Sequence, residues 1–249
     1  MKVLAALAVL SLAIACSSPS NDAPAAPAAP AIDPATAATI TGKVVLDGTA
    51  PTMNVIRLDG DPKCVTLNAG EERRTENVQV GPGNTVQNAF VYVKDGLPGG
   101  TYPVPAQPVV LDQQKCRYLP HVLGVQVGQP LAIRNSDPLL HNVRSDGTVN
   151  QPFDVGTPLQ GIEVKKTFAT REVMVPFKCN VHAWMTAYVG VLDHPFFAVT
   201  DANGQFSIPS LPPGSYTLEV WHEAFGTQTQ QVTVGAKESK DVNFQYKGP

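Results

Sequence analysis

Cys179, His182 and Met185 stand at a Cys-x2-His-x2-Met spacing, directly after the run Glu172-Val173-Met174-Val175-Pro176-Phe177-Lys178. A thiolate and a thioether are soft donors and imidazole is intermediate, a set that suits copper, which cycles between Cu(I) and Cu(II). Two imidazoles and one thiolate in a plane, with a long weak thioether bond, are tolerable to both oxidation states. Little then rearranges when an electron moves. The spacing supplies three of these four donors, so a second histidine has to come from elsewhere.

The elements around these residues are readable. Val173, Val175, Phe177 and Cys179 alternate as the inward face of a strand does. Cys179 thus ends a buried strand, His182 and Met185 fall in the tight turn after it, and Ala187-Tyr188-Val189-Gly190-Val191-Leu192 reads as the next strand. Upstream, Leu123-Gly124-Val125-Gln126-Val127 and Leu131-Ala132-Ile133-Arg134-Asn135 flank a Gly128 turn and lead into Asp137-Pro138-Leu139-Leu140-His141-Asn142-Val143. This order resembles the first ligand region of the cupredoxins, the amicyanin and plastocyanin group above all, and the short Cys loop is similar to that of amicyanin. The resemblance implies a Greek-key β-sandwich holding one type 1 (blue) copper, with His141 as first ligand beside Cys179, His182 and Met185. It implies that Asn142 steadies the Cys-bearing loop by hydrogen bonding, which helps set the potential. It also implies electron exchange through an exposed edge of His182, with Ala183 and Trp184 as an apolar docking patch for a redox protein such as a c-type cytochrome or a periplasmic oxidoreductase. Packing against the N-terminal region is the competing role for Trp184. The other three histidines, His121, His194 and His222, are expected to be structural.

The N-terminus reads as a targeting segment. Lys2 precedes an apolar run, Val3 to Ile14, too short to span a bilayer. Leu12-Ala13-Ile14-Ala15-Cys16 resembles a bacterial lipobox, with Ala13 where Leu is usual; ordinary secretory cleavage is the alternative. Residues 1–15 are then a signal peptide and Cys16 is lipidated, with Ser17 favouring the outer membrane. Residues 16–39 form an Ala/Pro-rich tether expected to be disordered and able to reach on the order of 70 Å. The mature protein is expected to be periplasmic or otherwise extracytoplasmic, touching membrane only through its lipid. In such a compartment Cys64 and Cys116 are expected to form a disulfide. Closing a loop of about fifty residues stabilises a fold by roughly 4 kcal/mol in the chain-entropy model. A second metal site using Cys64, Cys116 and His121 is the alternative.

Of 249 residues, 43% are hydrophobic and only 16% charged, with 20 Gly and 23 Pro; this favours many short strands and an all-β class. Residues 40–106 read as an N-terminal β region, and 107–193 as the copper domain. Residues 194–249 carry Leu211-Pro212-Pro213-Gly214-Ser215-Tyr216-Thr217-Leu218, which resembles the carboxypeptidase regulatory-like domain, a small transthyretin-like β-sandwich without catalytic residues of its own. The whole arrangement is similar to bacterial lipoproteins labelled as methylamine-utilisation proteins, a label that gives no substrate.

A net charge of −3 argues against a nucleic-acid binder. Transfer of single electrons is the leading function. A copper carrier or sensor is the alternative, but four Met and five His do not make the open Met- and His-rich site that delivery favours. An enzyme is not expected: type 2 and type 3 coppers need further histidines, commonly in His-x-His pairs, and the chain has none. A metal-free structural sandwich is the remaining reading.

Overall fold

The computed structural model describes residues 27–248. The signal segment, Cys16 and the first part of the tether lie outside the described residues. Order begins before position 40: Ala29 N–H donates to the Thr101 carbonyl at 2.9 Å, and Ala29 and Ile32 pack against the core. The described residues are all-β, as composition implied, with one short helix, Pro62–Leu67, and a 3-10 turn. Among the described residues no helix is long and apolar enough to cross a membrane.

Among the described residues four sheets form two β-sandwiches. In the first, a five-stranded sheet runs Phe153–Thr157, His141–Ser145, Glu172–Lys178, Thr186–Leu192, Val122–Gln126, with the last pair parallel. Its partner sheet runs Glu163–Lys166, Leu131–Asn135, Val109–Gln113, Tyr118–Leu119. Strand alternation sends Leu111, Val125, Leu131, Ile133, Val143, Val175, Phe177 and Val189 inward to one buried cluster that includes Cys179 and Met185. Cys179 therefore stands at the end of a core-facing row, as the alternation predicts.

The second sandwich is assembled from both ends of the described chain. Ala38–Asp47 pairs antiparallel with Gln205–Leu211 and parallel with Ser239–Asp241 and Phe244–Lys247. Phe90–Asp95 lies between Phe197–Val199 and Gly214–His222. Strands from the 40–106 segment thus complete sheets with strands after position 194, so the two stretches share one core that includes Ile40, Val44, Val91, Val93, Leu218 and Phe244. Each half exposes sheet edges the other covers, which is why neither closes alone.

The sandwiches meet through Phe90, Tyr92, Val122, Met174 and Leu192, with Phe197 and Trp221 against them. Two glycines permit that approach: a Cβ on Gly124 would lie 2.3 Å from the Phe197 ring, and one on Gly190 would lie 2.5 Å from the Phe90 ring. At Met174 the backbone takes φ +63° and the register with the neighbouring strand shifts. This bulge turns a thioether into the interface and leaves the Val175–Cys179 row in phase.

Candidate metal centre

Three donors sequence reading assembled do converge. One ligand atom from each of His141, Cys179 and His182 lies within 4.8 Å of the others, and all three residues are buried. The Nδ1 atoms of His141 and His182 are 3.0 Å apart. The Cys loop is closed by its own backbone: Cys179 N–H donates to the Met185 carbonyl (3.2 Å) and Met185 N–H to the His182 carbonyl (2.9 Å). His182 N–H donates to Cys179 Sγ at 3.4 Å. Met185 is 1% exposed and belongs to the same apolar cluster as Cys179.

Each imidazole is held from behind by a carboxylate. His141 Nε2 lies 2.9 Å from Asp137 Oδ2, and His182 Nε2 lies 3.2 Å from Asp61 Oδ2. Asp137, itself 2% exposed, also accepts the backbone N–H groups of Lys115 and Cys116 at 2.7 Å each. With the Nε2 edges turned to the carboxylates, the two Nδ1 atoms face each other beside the sulfur. Deprotonated, these three atoms offer a ligand set whose chemistry fits a soft, thiolate-bound ion.

The electrostatics agree. Burial pushes the Cys179 thiol up, but hydrogen bonds from the His141 and His182 side chains and from the His182 and Asn142 backbones bring it down to about 5. Burial opposes charge on His141, yet the Asp137 carboxylate and the Cys179 sulfur hold its pKa above the usual imidazole value. Asp137 is disfavoured by burial and lowered overall by His141 and the two backbone N–H groups. A thiolate is thus available at neutral pH, the form in which cysteine binds metal.

Asn142 does reach the Cys loop: its Oδ1 accepts the Asn180 N–H at 3.2 Å. Tyr118 adds a contact the sequence did not announce, its buried hydroxyl bridging the carbonyls of Asn142 (2.9 Å) and Lys178 (3.1 Å). Between the strands His141–Ser145 and Phe153–Thr157, the Glu172 carboxylate accepts N–H groups of Thr148, Val149 and Asn150 at 2.6, 3.1 and 2.8 Å.

One expectation needs correction. The edge of His182 is not open: the residue is 2% exposed, covered by Asp61 and by Cys64, whose Sγ lies 3.5 Å from Nε2. Trp184 packs as much as it presents; its ring sits 5.1 Å from the His182 ring and its Nε1–H donates to the Cys116 carbonyl at 2.9 Å. It lines, with Ala183, Met53 and Arg117, a cavity of about 420 Å³. The cysteines are as expected: Cys64 and Cys116 are disulfide-bonded, with Cα atoms 5.8 Å apart, which leaves no Cys64–Cys116–His121 metal site.

The remaining histidines are structural. His121 bridges the Thr186 carbonyl (3.0 Å) and the Glu223 carboxylate, tying the strand after the Cys loop to the second sandwich. His194 reaches the Val93 carbonyl at 2.9 Å, and His222 stacks on Phe225 at 4.8 Å. Asp137 could have been suspected from its i, i+4 spacing to His141. Asp61, 121 residues from His182, gave no signal beyond the Asp-Pro start of a helix.

Residues 186–247 match the carboxypeptidase regulatory-like domain. The match begins in the strand after the Cys loop and covers most of the C-terminal part of the second sandwich. Among solved structures the chain is similar to a copper(I) amicyanin variant (23% identity, TM-score 0.31, covering 35% of this chain and 85% of that one). It is similar to a purple cupredoxin from Nitrosopumilus maritimus (25% identity, TM-score 0.26, 30% and 81%). It is also similar to a copper-containing nitrite reductase from Thermus scotoductus SA-01 (20% identity, TM-score 0.34, 41% of this chain), of which the match spans 26%. Comparison with curated proteins gives no match.

Proposed function

We propose that this chain is an extracytoplasmic type 1 copper protein that passes single electrons between redox partners. The observation that carries this reading is the convergence of His141, Cys179 and His182 donors within 4.8 Å at the buried end of a sandwich, around a thiol lowered to about 5. Met185 completes the set from the same loop. Copper bound there would supply one-electron redox chemistry.

The protein's own residues do the rest. Asp137 and Asp61 orient the two rings, the loop hydrogen bonds fix the Cys179 sulfur, and the apolar cluster excludes water. His141, Cys179, His182 and Met185 are each no more than 3% exposed, which supports electron exchange over metal delivery and over substrate binding. A carrier must let its ion out, and this site is closed on the side of each imidazole. We assign the chain no catalytic reaction of its own.

A partner would meet the exposed Leu140, Val181 and Val65, each next in sequence to a buried residue of the site. Ala183 adds to that apolar face, a suitable contact for brief encounters with a redox protein such as a c-type cytochrome. The Cys64–Cys116 disulfide supports an oxidising compartment. We place the protein in the periplasm, lipidated at Cys16 on the outer membrane. Copper titration followed by voltammetry tests the function: one ion per chain and a reversible one-electron wave are expected. Irreversible or absent electrochemistry from a fully loaded protein would favour a carrier or sensor.

A further inference from the structure

The carboxylate behind His182 comes from outside the two sheets that carry the other site residues. Asp61 caps the helix Pro62–Leu67: its Oδ1 accepts the Lys63 N–H at 2.9 Å, and its Oδ2 faces His182 Nε2 at 3.2 Å. The segment is tied down beside the site by the Cys64–Cys116 disulfide, by Lys63 Nζ donating to the Pro138 carbonyl at 2.8 Å, and by Asn68 Nδ2 donating to the Lys115 carbonyl at 3.2 Å. Lys115, Cys116 and Pro138 all adjoin or bind Asp137, the carboxylate behind His141. Both acceptors are therefore held in one cross-linked frame.

A neutral imidazole carries one proton, and the nitrogen that holds it cannot bind a metal. A carboxylate accepts only, so placed at Nε2 it keeps the proton there and leaves Nδ1 free. In His182 that free nitrogen is the one directed at His141 Nδ1, 3.0 Å away. We propose that Asp61 is the positioning residue for His182, fixing its metal-binding tautomer while closing its outer edge to other molecules. The proposal rests on His182 being a copper ligand and adds a residue from a segment that the cupredoxin resemblance does not reach.

The test uses the full mature chain with Asp61→Asn, Asp61→Ser and Asp61→Glu. Asn and Ser both keep an oxygen able to cap the helix, so the fold is spared. Asn, however, presents an amide N–H to His182 once its oxygen caps Lys63. In the metal-free protein at mildly alkaline pH, nitrogen NMR of the His182 ring is expected to show the proton on Nε2 in the wild type. It is expected on Nδ1 in Asp61→Asn and divided between the two in Asp61→Ser. Cu(II) affinity by competition should fall about tenfold in both, with partial recovery in Asp61→Glu. An unchanged His182 tautomer in Asp61→Asn overturns the proposal. A wild type that binds no copper would instead remove the functional reading, while the metal-free tautomer comparison still decides the role of Asp61.

Discussion

His141 and His182 point their Nδ1 atoms at each other across 3.0 Å, and each turns its Nε2 atom to an aspartate. One ring comes from a strand and the other from the loop after Cys179, 41 residues apart, yet they are held in the same way. That common arrangement makes the donors ready before any ion arrives.

Asp137 has the heavier task, because it also holds the turn at Lys115 and Cys116. In Asp137→Asn one oxygen becomes an N–H donor and must face another donor. Leaving such groups unpaired costs about 1–3 kcal/mol, and metal affinity is expected to fall about 10- to 100-fold. Denaturant unfolding of the metal-free variant and a copper competition assay read the two effects separately.

Met185 is buried beside Cys179, and replacement by Leu nearly conserves volume, at a cost below about 1.5 kcal/mol. Were copper bound, the Met185 thioether would stabilise Cu(II) more than Cu(I) and hold the potential down, and an aliphatic side chain offers no donor at all. Met185→Leu should therefore remain blue, with a raised reduction potential by voltammetry. A potential equal to that of the wild type counts against Met185 as the axial donor.

Glu172 gives the fold a pH limit. Burial opposes its charge, but the N–H groups of Asn150, Thr148 and Val149 and the Asn150 side chain bring its pKa down to about 2. A carboxylate whose folded pKa is depressed stabilises the fold above its unfolded pKa, and that contribution disappears as pH falls through the folded value. The wild type should lose this stability between about pH 4.5 and pH 2. Glu172→Gln should be less stable by about 2 kcal/mol at neutral pH and should lose less on acidification. Thermal unfolding across that range checks both.

The disulfide fixes the segment that covers His182. Replacing Cys64 and Cys116 together by Ser should cost roughly 4 kcal/mol and admit solvent to His182. Denaturant unfolding and histidine-specific acylation in the metal-free protein measure these. Full protection of His182 in the double variant would show that the cover holds without its cross-link.

Much of this was legible locally. The Val175–Cys179 alternation foretold a buried strand ending at the sulfur, because period-two burial is written in adjacent residues; Val173, before the Met174 bulge, packs against the inter-sandwich cluster instead. The loop donors were legible for the same reason. What escaped was long-range: Ala38–Asp47 beside Phe244–Lys247, and Asp61 behind His182. Sheet pairing depends on backbone hydrogen bonds that any residue can make, and a lone aspartate looks the same on a surface as behind a ligand. The covered His182 edge follows from that missed segment. Composition could not reveal it.

The proposed binding of copper by the Cys179 sulfur with His141 and His182 is tested most directly by adding Cu(II) stepwise to the metal-free wild type and to Cys179→Ser and following visible absorption. Expected is an intense blue thiolate-to-copper band that saturates at one equivalent and is missing in the variant. A wild-type protein that stays as colourless as Cys179→Ser would contradict it.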